Sequence, residues 1–476
     1  MVYSRKNTGL IIAVTLTIIL YFLFAFYVER SQFSMVLFLY VSIFASSFYI
    51  LKKGKENTKL LTSLSILFRL IFLFSIPNLS QDFYRFIWDG RMLFEGLNPY
   101  LYLPETFINQ HEFPVNQATE LYAGMGSLNG SNYTNYPPLN QLNFYIAALF
   151  AGNNILGAVI VFRLQLILAD IGIMYFGKKI LEKLKLPIHN IFLYTLNPFI
   201  IIELTGNIHF EPVLLFFLIW SLYLLFNHKW IWAAVLLACS ISVKLIPLLF
   251  LPLFYQWFVN RSLDSARDDK TMSVRAESRI KGFLKLMLFY VIIISTSLLF
   301  FLPFYNSELI DNYFNSVGLW FRSFEFNASF YYVFREIGYL FRGYNEIAVI
   351  GKIIPLLTIV FLGFITFFRK NKSPKELITG LLFGLSFYYF TTTTMHPWYL
   401  ATLVLLSVFT KYRFPIVWSL VIILSYQAYA NLPWKENLWF VGLEYAIVYG
   451  YLIWELFFKN HHKKQYFDAH DSHAVS

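Results

Sequence analysis

The sequence contains little charge and almost no cysteine. Charged residues make up 14% of its 476 residues, whereas soluble proteins carry about 25%. Cys239 is the one cysteine and lies in an apolar run, so the sequence excludes an intrachain disulfide and a cysteine metal cluster. Hydrophobic residues make up 58% and aromatic residues 20%, more than a water-facing surface can hold. These figures exclude a disordered chain, a disulfide scaffold and a cytosolic enzyme, and they predict a polytopic membrane protein.

Apolar runs long enough to cross a bilayer, about 20 residues each, recur along the chain. We place about twelve, at residues 9–28, 33–51, 60–76, 154–177, 188–205, 210–226, 283–304, 346–368, 377–394, 397–410, 414–430 and 437–458. A further apolar stretch, 230–258, is interrupted by Lys244, Pro247 and Pro252. It is either one long span or a membrane hairpin of two short helices that returns to its own side.

The basic residues distinguish these alternatives, since cytoplasmic loops are enriched in Lys and Arg. With a hairpin, most of the 38 Lys and Arg residues lie on the side of the N-terminus, whereas one long span divides them almost evenly. We therefore expect the hairpin, with both termini and the basic segment 261–281 in the cytoplasm. The net charge of +11 is then a topological signal and does not predict nucleic-acid binding. The first apolar run lacks a clear cleavage site, so we expect it to remain as an anchor.

This topology divides the chain into two transmembrane modules, 1–304 and 305–476. The first outer loop, about 77–140, is rich in aromatic and acidic residues, so we expect it to fold against the membrane and to carry the catalytic residues. The second outer loop runs from about 305 to 345, and a short cytoplasmic tail ends the second module. Loops of this length are usually functional or disordered.

A group of polar residues directly follows the third predicted span. Read as a helix, Asp82, Arg85 and Asp89 share one face. Seven residues of helix rise about 10.5 Å, which is too far for both carboxylates to hold one hydroxyl. One acid would do chemistry, and the other would position a partner or hold Arg85. The alternative is a solvated, salt-bridged start of a helix.

Several motifs resemble the GT-C glycosyltransferases, and among them the bacterial polyprenyl-phosphate-mannose-dependent mannosyltransferases. They are, in chain order, Asp82-x-Tyr84-Arg85-x-x-Trp88-Asp89-Gly90-Arg91, Gly96-x-Asn98-Pro99-Tyr100, Tyr136-Pro137-Pro138-Leu139, Gly206-Asn207-x-His209-x-Glu211, Lys244-x-x-Pro247 and His396-Pro397-Trp398-Tyr399. The acidic pair departs from the family pattern, because six residues separate Asp82 from Asp89 where the family has an adjacent Asp-x-Asp. The resemblance therefore leaves open which of the two is the base.

The resemblance implies an all-α, GT-C-like membrane enzyme that transfers a sugar with inversion. The donor would be a polyprenyl-phosphate sugar, and the acceptor a glycan or glycolipid on the extracytoplasmic face of a bacterial plasma membrane.

One carboxylate must take the proton of the acceptor hydroxyl, and cations or hydrogen-bond donors must stabilise the phosphate that leaves. Asp82 fits the base because it follows the third span directly, and Asp89 is the fallback. No cofactor is expected. Asp82 and Asp89 are able in principle to hold a divalent ion, but lipid-phosphate donors in this family usually need no metal.

The candidate substrate-binding residues come from both modules. They are Tyr84, Arg85, Trp88, Tyr136, His209, Glu211, Lys244, His396 and Trp398. Lys244 is the most informative, because an ionisable group inside a membrane is functional by default; the alternatives are snorkelling or pairing with Asp170. Trp398 would stack on a sugar or belong to an interfacial belt, and Glu211 would bind sugar hydroxyls or cap a helix.

Two other classes of protein fit part of the pattern. A transporter or flippase of lipid-linked sugars is also polytopic, but more often shows paired repeats than a long folded acidic loop. A polysaccharide polymerase or ligase also uses lipid-linked sugars, and the second outer loop contains Arg322, Arg335 and Arg342, which keeps that alternative open.

Overall fold

The structure is a computed structural model, and it describes residues 2–265, 272–322, 324–431 and 434–459. Over these ranges the regular elements are helices joined by turns. The α-helices are α1 Val2–Tyr27, α2 Phe33–Gly54, α3 Thr58–Leu70, α4 Asp82–Phe94, α5 Pro104–Asn109, α6 Ala118–Gly130, α7 Pro138–Ala151, α8 Ile155–Lys183, α9 Phe192–Thr195, α10 Glu211–Phe226, α11 Trp230–Val243, α12 Tyr255–Ser265, α13 Met272–Phe301, α14 Leu309–Arg322, α15 Phe330–Arg342, α16 Ile347–Phe368, α17 Pro374–Thr391, α18 Ala401–Val408, α19 Phe414–Val421 and α20 Leu438–Ile453. Short 3-10 helices lie at Ile188–Ile191, Ile246–Phe254, Leu302–Phe304, Pro397–Leu400 and Ile422–Ala430, and π-helical turns at Ile200–Gly206 and Trp454–Phe458.

Six helices in the described residues are long and apolar enough to cross a membrane, or seven if a bent pair counts as one span. The bent pair is Ile200–Gly206 and Glu211–Phe226, which meet at 112°. The fold fits the all-helical, multi-pass membrane protein that composition predicts. The count of about twelve spans is not confirmed, because several apolar runs form shorter or broken helices. Pro198, for example, lies inside the predicted span 188–205 and offers no backbone N–H to continue a helix.

The stretch 230–258 doubles back on itself. Its first helix, α11, ends at Val243, and Lys244 has an extended backbone with φ −150° and ψ 142°. The chain then returns, so that the ring of Phe258 lies 6.3 Å from that of Trp230, at the start of α11. This is the hairpin geometry expected from the sequence, and the side of the membrane that each end faces stays a prediction.

The first outer loop folds into α4, α5 and α6, and α4 packs on α7. Phe86 of α4 stacks on Phe144 of α7 at 4.7 Å. Gly90 faces the same helix, where a Cβ would lie 2.2 Å from the carbonyl oxygen of Phe144. The loop is therefore a packed layer, and α4 is not the solvated helix of the alternative interpretation.

Two predicted segments fall partly or wholly outside the described residues. They are the basic segment 261–281, of which 266–271 are not described, and the cytoplasmic tail beyond residue 459.

Candidate functional site

A cavity of about 460 Å³ lies where the first outer loop, the hairpin turn at Lys244 and the C-terminal half of the chain meet. Eight of the eleven residues predicted as catalytic or substrate-binding line it. They are Asp82, Arg85, Tyr136, His209, Glu211, Lys244, His396 and Trp398. The other three, Tyr84, Trp88 and Asp89, do not line it. Residues more than 300 positions apart thus converge on one chamber.

Two hydrogen-bonding side chains hold the turn before Asp82 in place. Asn78 donates its side-chain amide to the carbonyl oxygens of Phe24 and Val28, at 2.7 and 2.9 Å, which joins this turn to the end of α1. Asn207 accepts a hydrogen bond of 2.8 Å from the backbone N–H of Leu79, which joins it to the turn before α10. Asp82 is therefore fixed relative to the turn that carries His209 and Glu211.

Arg163 connects the same two turns, the one before α4 and the one before α10, through a second set of hydrogen bonds. Its buried guanidinium donates to the carbonyl oxygens of Thr205 and Gly206, at 3.0 and 2.6 Å, and to those of Phe72 and Ser75. It does not line the cavity. Because its donors go to backbone carbonyls of two turns, Arg163 connects these turns to each other.

Asp82 is the acid that faces the cavity. It begins α4, and its carboxylate accepts a weak hydrogen bond from the side-chain amide of Asn129, at 3.4 Å. Burial raises its pKa above the ordinary value for a carboxyl group, and the nearby charge of Lys244 opposes that rise. A carboxylate with a raised pKa and few hydrogen-bond donors retains proton affinity, as a base must.

Asp89 is buried beside the cavity and is fully engaged. One carboxylate oxygen pairs with Arg85 Nε at 2.7 Å, and the other accepts a hydrogen bond of 3.1 Å from Gln141. Arg85 also donates to the carbonyl oxygens of Asn129 and Asn132, at 2.5 and 2.8 Å. This pair therefore fixes one wall of the cavity. Asp89 does not line the chamber that Asp82 faces.

Tyr84 and Trp88 pack the first outer loop. Tyr84 lies against Gly124, where a Cβ would approach its ring to 2.7 Å, and the Trp88 ring lies 6.5 Å from that of Phe107. The substrate contact predicted for these two residues has no counterpart in the lining of the cavity.

Lys244 and Glu211 form an ion pair in the cavity wall. Lys244 Nζ lies 2.5 Å from Glu211 Oε1, and the lysine side chain is 21% exposed while the glutamate is buried. The Lys244 ammonium also lies 5.8 Å from the ring centroid of Tyr399. Asp170, the alternative partner, pairs with Arg69 at 2.7 Å, so that alternative is wrong. The second oxygen of Glu211 has no hydrogen-bond partner among the described residues.

Three rings form a stack in the cavity wall. Trp398 stacks with His209, at 3.8 Å, and with His396, at 4.5 Å, and both imidazoles are within 16° of parallel to it. Trp398 also lines the cavity, and its contact with a sugar stays a prediction. Burial and the charge of Lys244 lower the pKa of His396 to about 3, so at neutral pH it contributes no charge. His209 Nε2 has no hydrogen-bond partner among the described residues.

The sequence analysis did not identify several residues that line the cavity. Arg30 reaches the cavity from the turn between α1 and α2, and Tyr429 reaches it from the C-terminal half. Arg30 carried a signal, since it is a basic residue on the predicted outer side, where few others fall. Tyr429 carried none.

The described residues contain no group of three or more His, Cys, Asp or Glu side chains able to hold a metal ion. The expectation that no metal takes part stays a prediction.

Comparison with known proteins supports the family resemblance of the sequence motifs. Residues 15–260, just over half of the chain, match the model of the MptA/B family, described as the N-terminal domain of alpha-(1→6)-mannopyranosyltransferases. Searches of curated proteins and of solved structures return no significant match. The chain belongs to this family, which makes it a glycosyltransferase of the mannosyltransferase type and confirms the family resemblance seen in the sequence.

Proposed function

We propose that this protein transfers a mannosyl group from a polyprenyl phosphate to a hydroxyl group of a lipid-linked or cell-surface glycan. The observation that carries the proposal is one chamber that contains a weakly hydrogen-bonded acid, Asp82, and a cation, Lys244, beside it. Family membership supplies the sugar, and the chemistry of the chamber supports the lipid-phosphate donor.

In the proposed reaction, the acceptor oxygen attacks the anomeric carbon of the sugar from the face opposite the phosphate. The new bond joins this oxygen to the anomeric carbon, and the old bond to the phosphate oxygen breaks with its electron pair. Asp82 takes the proton of the acceptor hydroxyl. The product has the opposite anomeric configuration, and the polyprenyl phosphate leaves as a stable anion that needs no general acid.

Lys244 stabilises the phosphate in this scheme. Its ammonium lies at the turn of the hairpin, partly exposed to the cavity, and is oriented by Glu211 and Tyr399. A fixed charge in a poorly solvated chamber interacts more strongly with an anion than it would in water.

A nucleotide sugar fits this site less well than a lipid-phosphate sugar. The sequence contains no Gly-rich loop of the kind that cradles a diphosphate. Asp82 and Glu211 would repel a nucleotide's charges, while a lipid donor brings one phosphate and keeps its tail in the bilayer.

Purified protein tests the donor. It should transfer radiolabelled mannose from a short-chain polyprenyl phosphate to an acceptor fraction and should not use GDP-mannose. Comparison of the anomeric configuration of donor and product by NMR should show inversion. Robust transfer from GDP-mannose, in protein free of lipid-linked sugar, contradicts the proposal.

We also propose that the chamber opens on the extracytoplasmic side of the membrane, in a bacterial plasma membrane. Single cysteines at Ser127, in the first outer loop, and at Arg279, in the basic segment, report the two sides when Cys239 is replaced by Ala. An impermeant thiol reagent should label Ser127→Cys in intact cells and Arg279→Cys only after lysis. The reverse pattern would place the chamber in the cytoplasm.

A further inference from the structure

Arg30 presents a guanidinium to the cavity from the turn between the first two helices. Its Nη2 donates a hydrogen bond of 3.0 Å to the side-chain oxygen of Gln81, the residue before Asp82. Its guanidinium carbon lies 4.9 Å from the ring centroid of Tyr429. The residue is thus held from two sides, by a neutral amide and an aromatic face, and it lines the same chamber as Asp82.

The three Arg and Lys side chains that line the chamber differ in their partners. Arg85 pairs with Asp89, and Lys244 pairs with Glu211. Arg30 has no carboxylate within 4 Å in the described parts of the chain, although it is close enough to affect the pKa of Asp82. Its charge is therefore the one among these three that no ion pair neutralises.

A partly buried cation without a counter-ion is costly unless an anion is bound beside it. A guanidinium also presents donors in a planar fork that matches two oxygens of a phosphate, which an ammonium does not. The cation–π contact and the bond to Gln81 orient that fork before the ligand arrives.

We propose that Arg30 binds the phosphate group of the donor in this chamber. The proposal rests on the lipid-phosphate donor of the proposed function. Arg30 would then be a second phosphate-binding cation besides Lys244, and the turn between α1 and α2 would form part of the site.

Arg30→Gln removes the charge and keeps hydrogen-bonding capacity. Loss of a charge-assisted hydrogen bond should raise the KM for a short-chain polyprenyl-phosphate mannose about tenfold or more. The inhibition constant of free polyprenyl phosphate should rise by a similar factor, while the KM for the acceptor changes little. Arg30→Lys should lie between wild type and Arg30→Gln. Arg342→Gln, which removes an exposed arginine of α15 outside the cavity, is the control and should match wild type.

An unchanged donor KM and inhibition constant in Arg30→Gln overturn the proposal. So does a fall in kcat alone, since it would mean that Arg30 acts through Asp82. If Arg30→Gln does not fold, the same two constants measured for Arg30→Lys decide. If wild type transfers no sugar, the proposed function fails, and direct titration of polyprenyl phosphate by tryptophan fluorescence still decides whether Arg30 binds it.

A second inference comes from α15, which turns its apolar face outward. Phe330, Val333, Phe334, Ile337, Leu340 and Phe341 form one exposed stripe at helical spacing. Leu340 and Phe341 are 84% and 82% exposed. Such a stripe in water would cost free energy in proportion to its area.

The inner face of α15 is polar. Tyr331 donates a hydrogen bond of 2.6 Å to Glu325, and Arg335 pairs with the same carboxylate at 2.7 Å. Tyr332 hydrogen-bonds to Glu436. The helix is therefore anchored through its polar side and, at its first residue, by the ring of Phe330, which lies 5.5 Å from that of Tyr449. The far end of the apolar stripe, at Leu340 and Phe341, is exposed.

The chain itself keeps α15 close to a membrane. Four residues, 343–346, separate it from α16, one of the candidate spans, and four extended residues reach about 14 Å. We further infer that α15 lies in the membrane interface with its apolar stripe in the lipid. Because Phe324 and Phe326, just before α15, line the cavity, this helix would hold that wall of the chamber at the lipid surface.

Spin labels test this placement without an activity assay. In a Cys239→Ala background reconstituted in nanodiscs, a nitroxide at Leu340→Cys should be more accessible to oxygen than to a water-soluble nickel chelate. A nitroxide at Arg342→Cys, on the exposed polar side of the same helix, should show the opposite preference. Preferential nickel access at both positions overturns the inference, and Phe341→Cys replaces Leu340→Cys if that variant does not fold.

Discussion

Two aspartates of α4 lie in different surroundings. Asp82, at the first residue, faces the chamber and has one weak side-chain hydrogen-bond donor, Asn129. Asp89, two turns later, is buried and satisfied by Arg85 and Gln141. Both belong to one motif, and their spacing does not rank them.

The difference teaches that the environment of a carboxylate determines its role. A carboxylate with each oxygen bonded to a buried arginine or amide holds structure, since protonation would break a buried pair. A carboxylate in a chamber, with a raised pKa and room for a ligand, is able to accept a proton. The following predictions test this contrast between Asp82 and Asp89.

The largest effect is expected for Asp82→Asn. It keeps the shape of the side chain but removes its proton affinity, so turnover should fall by roughly 10²–10⁴-fold while polyprenyl phosphate still binds. Glu112→Gln, an exposed acid of the same loop, should leave turnover unchanged. Turnover measured at saturating donor gives the result, and a mild loss would remove Asp82 as the base.

Asp89→Asn should act mainly on stability. It leaves the buried Arg85 without its counter-ion, and breaking such a pair costs about 3–5 kcal/mol. Thermal unfolding in detergent should show a clear loss, which the double variant Arg85→Met with Asp89→Leu should partly restore. If Asp89→Asn melts like wild type but loses turnover, the roles of the two acids are exchanged.

Lys244→Met should weaken use of the donor. The KM for the lipid-phosphate sugar should rise about tenfold, with a smaller change for the acceptor. Loss of the lysine charge raises the pKa of Asp82, and the charge of Glu211, left without its counter-ion, raises it further. The acidic limb of the pH–rate profile should therefore move to higher pH. Lys435→Met, an exposed lysine outside the cavity, is the control. A profile that moves to lower pH contradicts the proximity of Lys244 to the base.

The smallest effect concerns the stability of Asp82→Asn. The folded pKa of Asp82 lies above its unfolded value, so the associated stability is present in acid and is lost as pH rises through the folded pKa. Asparagine does not ionise, so Asp82→Asn does not lose this stability at neutral pH. Its melting temperature should be slightly higher than that of wild type at pH 7, and should not exceed that of wild type near pH 4. Asp89→Asn should not melt above wild type at pH 7. A lower melting temperature of Asp82→Asn at pH 7 would contradict the raised pKa.

Much of the architecture was predictable because it depends on composition and local pattern. The apolar runs predicted a helical membrane protein, and the spacing of Asp82, Arg85 and Asp89 predicted one helix with a salt bridge on its face. In both cases neighbouring residues carry the signal. The hairpin at 230–258 was predicted instead from the distribution of Lys and Arg over the whole chain.

The rest depends on contacts between distant residues. No local pattern shows that Arg30 meets Tyr429, or that Trp398 stacks with imidazoles from two separate turns. The number of spans stays a prediction, because apolarity does not reveal where a buried helix breaks. Asp82 was preferred to Asp89 only for its position after the third span, whereas the difference in their surroundings comes from Gln141 and from the chamber.

The most direct test of the account follows the sugar and the lipid phosphate separately. Purified protein is given a donor labelled with tritium in mannose and with carbon-14 in the polyprenyl chain, together with an acceptor. We predict that tritium moves to the acceptor while carbon-14 is recovered as polyprenyl monophosphate in equal amount, and that Asp82→Asn leaves both labels on intact donor. Transfer of both labels together, or equal transfer by Asp82→Asn and wild type, would contradict the account.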